Sequence, residues 1–172
     1  EARFRIGLPA HGRKIAGNDA EAMFFEELPQ IVHQSLFSQN LDMDALYRHI
    51  QTAEDADTAR SLLPERDLIA FVADGSLLPR RSGIDPRPMP AKEAVAFQSP
   101  EAYRVTLELP NAGSVSGMGI PAGVTLIVGG GYHGKSTLLA AIELGIYNHI
   151  PGDGRELAVT VEDTQKIRAC DG

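Results

Sequence analysis

The stretch GGGYHGKST, Gly129 to Thr137, fits the phosphate-loop pattern G-x-x-x-x-G-K-[ST], with Gly129, Gly134, Lys135 and Ser136 at the fixed places. A triphosphate carries several negative charges and needs many donors at close range, more than bulky side chains alone can supply. Gly129, Gly130, Gly131 and Gly134 leave the backbone free to turn consecutive N–H groups inward as an anion nest. A helix starting at the end of the loop adds unpaired N–H groups and the positive end of its dipole. Lys135 then reaches the β- and γ-phosphates, Ser136 ligates Mg²⁺, and Thr137 donates to the α-phosphate. Tyr132 and His133 fill the tolerant positions and read as exposed loop residues, with His133 beside the γ-phosphate as the second reading.

Working outward, Val124, Leu126, Ile127 and Val128 predict a short buried strand leading into the loop, and Leu138 to Tyr147 an apolar helix leading out. Upstream, Tyr103, Val105, Leu107 and Leu109 alternate as one face of a strand, and a turn at Asn111 to Gly113 leads to a second strand. These elements place an α/β nucleotide domain over 99–172. The stretch 1–98 reads as a mixed α+β domain. Within it Phe4, Ile6 and Leu8 predict a half-buried strand, and Asn18 with Glu21 a capping box. The helix that follows presents Phe24, Phe25, Leu28, Ile31, Val32 and Leu36, and Pro29 predicts a kink or two abutting helices. Asp42 is placed to cap another helix, whose stripe Met43, Leu46, Tyr47 and Ile50 reads as core. A further helical segment should end before Pro64, and LIAFV, Leu68 to Val72, is a buried strand. The proline-rich ADGSLLPRRSGIDPRPMP that follows cannot be a regular helix. Its Arg80 and Arg81 suit phosphate or carboxylate recognition, or a structural ion pair.

Composition agrees. The chain has 172 residues, 43% of them hydrophobic, and a net charge of −7, which argues against a wholly basic nucleic-acid binder. No apolar run approaches the ~20 residues that span a bilayer, so no membrane partner is expected. The start, EARFRIG, has neither a signal-peptide core nor an initiator Met, which reads as a chain beginning inside a longer polypeptide. One cysteine, Cys170, allows no internal disulfide and fits a reducing, cytoplasmic setting. The histidines at 11, 33, 49, 133 and 149 are not spaced with cysteine as zinc ligands, and no G-x-S-x-G nucleophile motif occurs.

The run GMGIPAGVTLIVGGGYHGKSTLLAAIELGIYNHIPGDGRE, Gly117 to Glu156, resembles ATPases of the ABC class, in a divergent branch that includes bacterial proteins and a kinetoplastid mitochondrial RNA-processing factor. LPRRSG, FQSPEAYRVTLELPN and KIRACDG carry the same resemblance. It implies an N-terminal α+β domain followed by the first part of an ABC-type P-loop ATPase domain, working as a homodimer on ATP with ADP as product. It also implies an adenine-stacking aromatic, for which Tyr103 stands at the matching distance, and it brings RNA in as a possible ligand for Arg80 and Arg81. The family's acid after an apolar strand, signature loop and switch histidine do not occur here. LAVTVED, Leu157 to Asp163, only imitates the first and reads instead as an amphipathic strand and turn. The resemblance places those elements beyond Gly172, which makes the sequence in hand a fragment whose own hydrolysis is negligible. Two other readings use the same loop: a small-molecule or nucleoside kinase, and an RNA-binding module regulated by ATP.

Overall fold

A computed structural model describes residues 3–131 and 133–167; Tyr132 and Cys170 lie outside the described residues. The chain divides into two compact units, Glu1–Leu46 and Tyr47–Gly172.

In the first unit, Ala10–His11 (β1) pairs with Lys14–Ile15 (β2) as a minimal hairpin. The helical part runs through α1 (Gly17–Ala22), one π-helical turn (Met23–Glu27) and α2 (Leu28–Leu36). The interruption expected at Pro29 takes the form of that π turn. Pro29 directly follows that turn inside one continuous helical run, since Glu27 and Leu28 keep helical dihedrals, and the wider turn accommodates its ring and missing N–H. Two expectations fail here. Phe4, Ile6 and Leu8 form no strand and stay exposed, because no neighbouring strand offers them hydrogen bonds. Asn18 is not a cap: it lies inside α1, whose N-cap is Ala16, two residues earlier, with no side-chain cap bond. The apolar face of the helices is not covered either. Met23, Leu28, Ile31 and Leu36, with Phe4 and Ile6, line an open groove of about 480 Å³.

Asp42 does cap the next helix, its Oδ1 accepting the Ala45 N–H at 3.0 Å. That helix, α3 (Met43–Glu65), is longer than expected and carries Pro64 in its last turn. Leu63 is fully buried, and its packing outweighs the local bias against helix before proline. The stripe expected as core is not core: Met43, Tyr47 and Ile50 are exposed, and burial along α3 is confined to Asp55, Ala56, Ala59 and Leu63.

The second unit is built on a four-stranded antiparallel sheet of order β4-β5-β3-β6, with β3 Leu68–Ala73, β4 Arg104–Leu109, β5 Gly113–Pro121 and β6 Ala158–Thr160. Its strands come from both sides of residue 98. Strand β3 is apolar throughout because it is covered on both faces. Phe71 and Ala73 point to one side with Leu107, Leu109 and Val159, against Ala56, Ala59 and Leu63 of α3. Ala70 and Val72 point to the other with Met118, Ile120 and Ala158, against Ala141 of helix α4 (Lys135–Leu144). Phe71 alone contributes about 2–3 kcal/mol by its complete burial. A register shift between Leu68 and Ala70 turns Leu68 to the Phe71 side and leaves Ile69 exposed. The result is an α/β fold with the sheet between two helices.

Three further corrections concern this unit. Tyr103 belongs to a 3₁₀ turn, Glu101–Tyr103, rather than to β4. Helix α4 begins at Lys135 and ends at Leu144, three residues off the expected span at each end. The strand in LAVTVED is not amphipathic, since Ala158, Val159 and Thr160 are all buried; a turn at Glu162 and Asp163 follows it.

Arg60 ties α3 to the far end of α4. Its Nε donates to the Thr160 carbonyl at 3.2 Å, and one terminal nitrogen donates to the Gly145 carbonyl at 3.2 Å and to Asn148 Oδ1 at 2.9 Å. The carbonyl at the end of α4, which also accepts the Thr160 N–H at 3.1 Å, thereby gains a cation that favours the helix dipole. Arg60→Ala should cost about 1–2 kcal/mol by stranding the part-buried Thr160 carbonyl, since the Gly145 carbonyl keeps the Thr160 N–H at 3.1 Å; urea denaturation of the two proteins checks this. Among the described residues, no helix is long and apolar enough to cross a membrane.

Candidate functional site: a glycine loop at the start of α4

The sheet holds α4 by Ala141 and by the partly buried Leu138 and Ile142, so the helix axis and its N-terminus are fixed from below. Gly134 precedes it with φ 77°, a left-handed conformation that a side chain would strain, and Gly129 opens the loop with φ 153°. The Leu138 N–H reaches the Gly134 carbonyl at 2.9 Å, the first bond of the helix. The N–H groups of Lys135, Ser136 and Thr137 therefore belong to the first turn, where a helix offers them no internal partner. The Lys135 ammonium, on the first of these residues, donates to the Gly130 carbonyl. The His133 ring packs over Gly130, where a Cβ would come within 3.1 Å of its Cε1. Ser136 is exposed and opens on a cleft of about 560 Å³. The opposite wall is the segment 164–167, held to α4 by Lys166 Nζ donating to Glu143 Oε2 at 2.5 Å.

These groups fit a nucleotide phosphate chain: glycines at the strained positions, first-turn donors, one ammonium and one exposed hydroxyl. Lys135 turned onto its own loop is the arrangement a cation takes when its nearest acceptor is a backbone carbonyl. A phosphate would replace that carbonyl with a charge-assisted bond.

The lead into the loop departs from expectation. Residues 124–128 form no strand, and Val124, Leu126 and Val128 are 102%, 81% and 73% exposed. A strand requires a neighbour, and none of the described residues pairs with this segment. The loop is thus fixed on its helical side only. Tyr103 lies at the start of β4, an outer strand, whereas α4 packs along β6 at the other edge. The Arg80–Arg81 pair is divided. Arg80 bonds Asp153 through both its carboxylate, at 2.6 Å, and its carbonyl, at 2.7 Å, which is the structural ion pair. Arg81 donates weakly to the Pro88 carbonyl at 3.4 Å.

Residues 1–39 match the N-terminal domain of the ATPases of the ABC class, and residues 42–172 match the P-loop domain of the same family. The chain belongs to the ABC-class ATPases. It is 30% identical over 137 residues to a Methanocaldococcus jannaschii protein described as "Uncharacterized protein MJ1628". That match covers 76% of this chain and 30% of the relative, so the chain spans about a third of the relative's length. The family is one of P-loop nucleotide-binding proteins, which accords with the loop at the start of α4.

Sequence reading passed over a second cluster in this ABC-class chain. His149 Nδ1 lies 2.7 Å from the same Asp153 oxygen that Arg80 binds, and the Arg155 side chain, 2% exposed, donates to the Leu78 carbonyl. The one local signal was the i, i+4 spacing of His149 and Asp153.

Proposed function

We propose that this chain binds Mg-ATP through Gly129 to Thr137, and that the complete protein hydrolyses it to ADP and phosphate as a homodimer. The observation that carries the reading is the junction of the left-handed Gly134 with the free first turn of α4, beside the Lys135 ammonium. In this reading Gly129, Gly130, Gly131 and Gly134 let the loop backbone close around the β-phosphate, and the Lys135 ammonium leaves the Gly130 carbonyl for the β- and γ-phosphate oxygens. Thr137 donates to the α-phosphate, and His133, whose ring packs over Gly130, stands beside the γ-phosphate; Tyr132 is the other variable position of the motif. Ser136 offers its hydroxyl oxygen to the cation, and the cleft beside it leaves room for water. Magnesium, when bound, neutralises the charge that develops on the phosphate oxygens. Holding the phosphates in one geometry, away from bulk water, is what Lys135 and the loop contribute to transfer of the γ-phosphoryl group to water.

The test is calorimetric titration of the chain with ATP in magnesium and in EDTA. Saturable one-to-one binding that weakens in EDTA supports the proposal, and absence of binding in both overturns it. Ser136→Ala separates the metal ligand from the phosphate ligands. Its ATP affinity should lose most of its magnesium dependence, a change on the order of tenfold for one lost oxygen ligand, and should match the wild type in EDTA.

A further inference from the structure

The segment that joins α4 to β6 is fastened to residues 77–80 by hydrogen bonds, and two side chains beside them converge on one carboxylate. Leu77 N–H donates to the Gly154 carbonyl at 2.8 Å, Arg155 reaches Leu78, and Arg80 and His149 share Asp153 Oδ2 at 2.6 and 2.7 Å. His149 and Asp153 are only 14% and 16% exposed. The Nδ1 of His149 faces an acceptor, so the hydrogen-bond network assigns the proton to Nδ1 and leaves Nε2 bare. Nε2 is buried and has no hydrogen-bond partner among the described residues. A bare buried nitrogen is a modest loss; a buried N–H with positive charge and no acceptor is a large one. The charged groups around the imidazole are Arg80 from the 77–80 side, and Asp153 and Arg155 from its own segment. Two guanidiniums already face one carboxylate, and an imidazolium would add a third cation.

We propose that His149 is an acid-sensitive latch: uncharged, it holds the Asp153 carboxylate in place for Arg80, the bond that ties the 149–156 segment to residues 77–80, and uptake of a proton at Nε2 releases that segment. Burial, the largest cause, lowers the folded pKa of His149 below its ordinary 6.5; Arg80 and Arg155 act in the same direction, and Asp153 opposes them. Because the open form binds the proton more tightly, the latch is at full strength above the ordinary histidine range and weakens as pH falls through 6.5.

Amide hydrogen exchange read by mass spectrometry on the whole chain tests this, with rates corrected for intrinsic pH dependence. Below the histidine range, the opening constant of peptides within 149–157 should rise by up to about tenfold per pH unit, while peptides from β3 stay unchanged. His149→Asn keeps a neutral N–H donor and should abolish the pH dependence. Equal protection of wild-type 149–157 across this range overturns the proposal, as does a pH-dependent loss that persists in His149→Asn. Should that variant not fold, an NMR titration of the wild-type imidazoles decides. A His149 midpoint below those of the other histidines supports the latch, and a midpoint level with or above them overturns it.

Discussion

Lys135→Ala is expected to lower Mg-ATP affinity by about 100-fold or more, since two charge-assisted bonds to phosphate oxygens at ~1.5–3 kcal/mol each are lost together. The fold should not notice. The Lys135 side chain contributes to neither core cluster, and its single hydrogen bond goes to the Gly130 carbonyl of the same loop. The variant should therefore unfold within ~1 kcal/mol of the wild type in urea while losing its calorimetric binding signal. A folded Lys135→Ala protein that titrates with ATP as the wild type does would remove the ammonium from the site. It would leave the glycine loop and the helix start as the only anion donors.

The largest loss of stability is expected from Asp55→Ala. Asp55 sits on α3 at 6% exposure, and its carboxylate holds the turn between β4 and β5. It accepts the Asn111 and Ala112 N–H groups at 2.9 Å each and Asn111 Nδ2 at 3.2 Å. Alanine would leave two backbone donors without a partner, each costing ~1–3 kcal/mol, so the expected loss is about 3–4 kcal/mol in the free energy from urea unfolding. Asp55→Asn retains one acceptor oxygen and should lose about half as much. A loss below ~1 kcal/mol for the alanine variant would mean that water replaces the carboxylate at the turn.

The parts legible in the sequence are those set by short-range chemistry. A glycine loop followed by Lys-Ser-Thr declares a helix start because the strained backbone positions and the first-turn donors are neighbours in the chain. The Asp42 cap and the turn at Asn111 to Gly113 are local in the same sense. Of the elements that depend on distant partners, the uninterrupted apolar run of β3 could be read, but others could not. Val124 to Val128 has the composition of a buried strand, but composition does not supply the neighbouring strand that would pair and cover it. Pro64 reads as a helix stop until the burial of Leu63 is known. The stripe from Met43 to Ile50 has the right period for a core, yet α3 is covered farther along, by β3 and β4. At the candidate site the same division holds. The donors could be read one after another, whereas the Asp153 cluster joins residues separated by |i−j| of 73 in sequence and became visible only in three dimensions.

The bare lead into the loop also governs how the molecule behaves among its own copies. Between Glu108 and Lys135 the chain contains no Asp, Glu, Lys or Arg. Within that interval Val124 to Val128 presents β-branched and aliphatic side chains to solvent, with neither a proline nor a charge to interrupt them. Short segments of this type, unpaired and uncharged, template strand-to-strand association between molecules, and flanking charges are the usual gatekeepers against it. The net charge of −7 repels copies at long range but is absent from the stretch where they would adhere. The stretch beside the phosphate loop thus works against the colloidal stability of this chain, and added salt, which screens the repulsion and spares the adhesion, shifts the balance toward aggregates.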